Sequence, residues 1–174
     1  MKMINKVATA ALPLIFIGSS VFSQSLDDAK KAIDAEQYQK AKSMLKNLTV
    51  TQADKDENYF YLGWVYILQD YADSAKTAFN QGIAKNPKSA LNYAGLGAVA
   101  RLEKNTAGVT SNYNQAISLA GKNTKPYVYI GKGYLLDPAD AKAAVDVLNK
   151  GKLVNAKDPE LFLTLGNAYR VQLK

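Results

Sequence analysis

A Leu-Gly or Ile-Gly pair returns along this chain at a nearly constant interval. It stands at Leu62-Gly63, Leu96-Gly97, Ile130-Gly131 and Leu165-Gly166, with glycine steps of 34, 34 and 35 residues. Glycine makes up only 11 of 174 residues, too few for chance to set four on one register. An aromatic precedes each of these glycines by four residues, as Tyr59, Tyr93, Tyr127 and Phe162. Three residues after them stand Tyr66, Ala100, Tyr134 and Tyr169. A period of this length marks a solenoid, in which one unit cannot bury its apolar face alone and its neighbour completes the core. Such arrays more often serve as binding surfaces than as catalysts.

Helical periodicity dominates after residue 25. Ser25-Leu26-Asp27-Asp28 predicts a capping box, in which the Ser25 hydroxyl and the Asp28 carboxylate meet orphan backbone N–H groups. A first helix is expected to run to about Glu36, and a second over about 39–48. The clearest unit follows: a helix over about 57–68, a turn at Gln69-Asp70-Tyr71, and a helix over about 72–85 that Pro87 blocks. Ser89 is placed to cap the next unit. The third unit turns near Lys104-Asn105-Thr106. The fourth has a turn one residue longer, with Asp137-Pro138 expected as a cap followed by proline in the first helical turn. Asp158-Pro159-Glu160 repeats that start signal before a fifth first helix.

The glycines of the repeat have a packing explanation. Gly inside a helix costs about 1 kcal/mol against Ala, so close approach of the paired helix must offset it. Ala75, Ala144, Gly82 and Gly151 answer from the second helices, and Tyr59, Tyr66, Phe79 and Tyr113 fill the gaps.

Residues 1–23 read as an export signal. Lys2 and Lys6 form a positive start, Val7 to Phe22 is uncharged and mostly apolar, and Val21-Phe22-Ser23 resembles a small-residue cleavage site before Gln24. That stretch is shorter than the roughly 20 residues a membrane span needs, and Pro13 and Gly18-Ser19-Ser20 weaken it further as an anchor. The expected location is the periplasm or cell envelope, or outside the cell, with membrane contact only through the signal before cleavage. The chain carries 22 basic and 15 acidic residues, a net charge of +7. Losing Lys2 and Lys6 leaves 20 against 15, or +5, spread along helical surfaces rather than blocked. Cysteine and histidine are absent, which removes disulfides, thiol nucleophiles, thiolate metal sites and the commonest general base. The acids Asp54, Asp56 and Glu57 gather at a helix start, where negative charge is favourable. Gly131-Lys132-Gly133 falls inside a helix and so cannot cradle a phosphate. No catalytic constellation, metal site or cofactor is expected. Eleven tyrosines beside a positive charge raise a nucleic-acid reading, but most of them fall on repeat core positions.

In register, residues 56–89 carry Tyr59, Leu62, Gly63, Tyr66, Ala75, Phe79, Gly82 and Pro87. This pattern resembles the tetratricopeptide repeat (TPR) family, and the resemblance covers about 25–174. The third unit departs at Ala100 and Val109, and the fourth by its one-residue insertion. The resemblance implies an all-α, right-handed superhelical solenoid of antiparallel helix-turn-helix repeats. The units would be 24–55, 56–89, 90–123 and 124–158, with a partial fifth at 159–174. The first unit, with polar residues at its signature positions, would cap the array.

The resemblance also implies that first helices line a concave groove. It assigns partner-binding positions to Phe60, Tyr61, Trp64 and Ile67 in the second unit and Arg101 in the third. In the fourth and fifth they are Tyr129 and Lys132, then Asn167 and Arg170. The groove would hold a protein or peptide segment, with an apolar anchor near Trp64 and an acidic group near Arg101, Lys132 and Arg170. A blander reading packs Phe60 and Trp64 on the first unit and leaves the charges solvated. The family's clamp for a terminal carboxylate is incomplete here. The expected function is a non-catalytic protein-interaction scaffold of a bacterial cell envelope. A second reading makes the chain the N-terminal interaction region of a longer envelope protein, whose remainder is catalytic or anchoring. Self-association through repeat ends is a third.

Overall fold

The computed structural model describes residues 25–173. The expected export signal, its cleavage point and the terminal Lys174 lie outside them. The described residues form nine α-helices in sequence: α1 (Leu26–Asp34), α2 (Tyr38–Thr51), α3 (Asp56–Leu68), α4 (Ala72–Lys85), α5 (Ala90–Leu102), α6 (Thr106–Ala120), α7 (Lys125–Tyr134), α8 (Ala141–Val154) and α9 (Pro159–Gln172). A 3-10 turn at Pro138–Asp140 precedes α8. The start signals act as sequence chemistry requires. The Ser25 hydroxyl accepts from the Asp28 N–H and donates to the Asp28 carboxylate, Ser89 accepts from the Asn92 N–H, and Asp158 accepts from Glu160 and Leu161.

Consecutive helices pack as antiparallel pairs, and the pairs stack. The odd-numbered helices also touch one another down the array, α1 to α3, α3 to α5, α5 to α7 and α7 to α9. The even-numbered ones make no comparable contacts with each other. Helices that crowd along one rail and spread along the other curve the stack, so the odd helices line the concave side of a right-handed superhelical solenoid.

The repeated glycine is the seat of a large side chain from the paired helix. A methyl group on Gly63 would lie 2.5 Å from the Phe79 ring, one on Gly97 would collide with Tyr113, and one on Gly131 would lie 2.8 Å from Leu148. Phe79, fully buried, also sits against Gly95 of the next unit, so one ring wedges between two repeats. Buried asparagines latch neighbouring units. Asn58 donates to the carbonyls of Leu48 (3.3 Å) and Gln52 (3.2 Å). Asn92, 34 residues on, donates to that of Asp56 (3.1 Å).

Three of the four turns within units share one device. Glu36, Asp70 and Lys104, again spaced by 34, have left-handed backbones with φ of 56°, 62° and 56°. The next residue closes the helix end in each case: Gln37 donates to the Ala32 carbonyl (2.8 Å), Tyr71 to Tyr66 (2.9 Å) and Asn105 to Ala100 (2.8 Å). The next position in this series is Pro138, whose ring locks φ near −65° and forbids that conformation. The fourth unit therefore uses the 3-10 turn, with the extra residue seen in the sequence. Asp137 is the expected cap, accepting from the Ala139 N–H (3.0 Å) with Pro138 in the first turn; that turn is 3-10, and α8 begins only at Ala141.

Candidate binding chamber

The inner rail is built around α3, which buries Asn58 through Val65 and also Ile67. Its middle neighbour α5 is thin, since the residues it buries (Asn92, Ala94, Gly95, Gly97, Ala98, Val99 and Ala100) include no ring. Rings from α3 and α7 therefore meet on the concave side, two units apart in sequence. Tyr129 lies edge-on to Phe60 (ring centroids 4.6 Å apart), to Trp64 (4.9 Å) and to Tyr61 (6.0 Å), while Phe60 stacks on Trp64 (6.2 Å). At the rim of the same crossing, Lys125 pairs with Glu57 at 3.1 Å. The concave side is thus plugged at its centre by the chain's own aromatics.

This placement corrects the expected apolar anchor. Phe60, Trp64 and Ile67 are exposed by 0%, 4% and 2%, so they are core and offer no surface to a partner. Their apolar area favours burial, and the small side chains of α5 leave the room for it. Arg101 is also consumed internally: its guanidinium donates to the Gly133 carbonyl (3.1 Å), pairs with Asp140 and covers the Tyr134 ring. Arg170 is exposed but does not line the cavity beside the plug.

Beyond the plug lies a chamber of about 580 Å³ between the first and last inner helices. Helix α1 contributes Lys30, Ile33 and Asp34, α3 contributes Tyr61, and α7 contributes Tyr129 and Lys132. Helix α9 supplies Pro159, Glu160, Leu163, Thr164 and Asn167. Of the sequence-predicted positions, the structure brings Tyr61, Tyr129, Lys132 and Asn167 together here. Tyr61 and Tyr129 form a buried floor; Asp34, Leu163 and Asn167 are exposed at the mouth. Lys132 lies over the Tyr129 ring and holds the Glu160 carboxylate at 2.7 Å. Lys30 stands over the Tyr61 ring and pairs with Asp27 at 3.1 Å.

Burial pushes the Tyr129 phenol far above its ordinary range, and the Tyr61 phenol as well. The negative charges of Glu160 and Asp34 add to both shifts. These hydroxyls stay protonated and serve as hydrogen-bond partners, not as bases. No group of three or more potential metal ligands occurs among the described residues. The lining is itself amphipathic, with Ile33 and Leu163 beside two lysines and the carboxylates of Asp34 and Glu160.

Asp34 and Glu160 were not found from the sequence. Glu160 lies one helical turn before Thr164, as Glu57 does before Tyr61 and Lys125 before Tyr129. Extending the concave register back by four residues reaches all three. Asp34 had no such signal, because α1 lacks the repeat signature.

No protein-family model matches the sequence, and no curated protein matches it. Solved structures do. A thermophilic TPR protein of Thermus thermophilus superposes with a TM-score of 0.62 at 17% identity, over 82% of this chain and 78% of that one. MamA superposes with a TM-score of 0.51 at 22% identity, over 85% of this chain and 76% of that one. Likeness at this identity establishes architecture alone, and the architecture is a helical solenoid of the TPR type.

Proposed function

We propose that this protein is a non-catalytic interaction scaffold that holds a peptide segment in the chamber between α1 and α9. The observation that carries the reading is the Lys132–Glu160 pair on the chamber wall, 2.7 Å long, beside exposed Leu163. It marks where a carboxylate sits when an apolar group lies next to it. An acidic peptide side chain can take the place of Glu160 on Lys132, while an adjacent apolar side chain covers Leu163 and Ile33. Because the aromatic plug closes one end, the chamber takes a short stretch or a single side chain rather than a long extended segment. The walls are pre-formed by packed helices, so little ordering entropy opposes binding.

Trp64 is the single tryptophan and lies under the Tyr129 floor, so its emission reports on occupancy. Peptides selected from a displayed library on the purified protein should shift this emission. Lys132→Ala and Leu163→Glu should each weaken their binding at least tenfold without changing the far-UV circular dichroism. Selected peptides that bind both variants as tightly as the original protein would sink the reading.

We further propose export to a bacterial cell envelope, on the charge and hydropathy pattern of residues 1–23. Fractionation with N-terminal sequencing should find a processed chain starting at Gln24 in the envelope. A full-length chain confined to the cytoplasm would overturn this.

A further inference from the structure

The fourth glycine of the repeat differs from the other three. Gly63, Gly97 and Gly131 are each filled by a bulky side chain of the paired helix, whereas a methyl group on Gly166 would meet nothing within 4 Å. The face of α9 that carries it is apolar and open: Phe162 is 41% exposed, Tyr169 43% and Leu173 85%. At about 100° per residue these three and Gly166 fall within an arc of roughly 60°, turned away from the chamber side that carries Glu160 and Asn167. The stripe residues carry no charge; the one cation against them is Lys152 of α8, whose ammonium lies over the Phe162 ring at 5.9 Å and can swing aside on its exposed stem.

The repeat shows what fits such a face: a helix running antiparallel to α9, bringing a ring into the glycine seat, as Phe79 and Tyr113 do for Gly63 and Gly97. Helix α9 satisfies that requirement for a second copy of itself. In one antiparallel register, Tyr169 of each copy faces Gly166 of the other, and Phe162 of each faces Leu173 of the other. All four stripe residues then find partners in a single two-fold arrangement, which an isologous contact demands. The opposite end of the array cannot serve instead, because the exposed surface of α1 carries Asp27, Asp28, Lys31 and Asp34. We propose that the protein forms a symmetric dimer through α9, with Tyr169 seated on the partner's Gly166.

The test is sedimentation of the purified protein over a wide concentration range, beside Gly166→Leu and Phe162→Cys/Leu173→Cys. The unaltered protein should pass from monomer to dimer in the micromolar range. Gly166→Leu fills an empty seat, so the monomer should keep its helix content and melt no lower while the dimer dissociation constant rises at least tenfold. The double-cysteine variant, in a chain with no cysteine of its own, should give covalent dimers on mild oxidation. A protein that stays monomeric at every concentration, a dimer indifferent to Gly166→Leu, or a dimer that fails to cross-link would each overturn the proposal. The first result would leave this face to a helix of another protein or of a longer chain.

Discussion

Glycine does two different things at the repeated position, and its neighbours decide which. Gly63 is compressed: its missing side chain is the space that the Phe79 ring occupies, and that ring cannot retreat because Gly95 backs it on the other side. Gly63→Ala is therefore expected to destabilise the fold by about 1–3 kcal/mol through overpacking, despite the better helix propensity of alanine. Gly166→Ala makes the same chemical change in open space and should leave the monomer as stable or raise its stability by up to about 1 kcal/mol. Urea unfolding of both variants in dilute protein checks the pair, and a loss at Gly166 comparable to that at Gly63 would refute the seat argument. The sequence sets Gly166 apart only as a member of the partial unit 159–174. The facing side chains show the other three glycines to be packing seats and this one empty.

At the level of the element, the turns follow backbone chemistry closely. Three non-glycine residues hold a left-handed conformation that costs roughly 1–2 kcal/mol each for ordinary L-residues. Lys104 is exposed at its turn, so Lys104→Gly should relieve that cost at little expense in packing. The net gain, after the greater freedom glycine has in the unfolded chain, should be about 0.5–1 kcal/mol. A midpoint of urea unfolding that moves down instead of up would disprove it. The sequence shows the fourth turn to be a residue longer without showing why. The reason is Pro138, which stands where the left-handed residue belongs and cannot adopt it. Helix ends elsewhere were legible because Ser25, Ser89 and Asp158 carry their capping chemistry in the side chain itself.

At the scale of the whole molecule, α3 and α7 close the concave side over α5. The closure is held chiefly by rings, since Lys125 and Glu57 are each 38% exposed and such surface pairs contribute about 0–1 kcal/mol. Tyr129→Ala removes the ring at the centre of this contact and should cost about 3–5 kcal/mol, the range for a buried aromatic. It should also redden Trp64 emission and increase the radius of gyration in small-angle scattering as the inner rail opens. Unchanged scattering and emission would show that the rings merely fill space. The sequence register assigns Phe60, Trp64 and Ile67 to the groove surface, because it places a residue on a face of a helix without knowing how deep that face lies. Depth depends on α5, whose small residues let its neighbours approach.

What the sequence determined by itself is the periodic part of this protein: all-helical content, the 34-residue unit, the pairing of helices and most of the caps. Those features are local, set by side-chain spacing and backbone preference within one repeat. The curvature of the array, its aromatic plug and the chamber shared by α1 and α9 were decided only by tertiary structure. They join residues up to a whole array apart, and a contact of that span follows from how small angular steps accumulate over successive units, which no single repeat encodes.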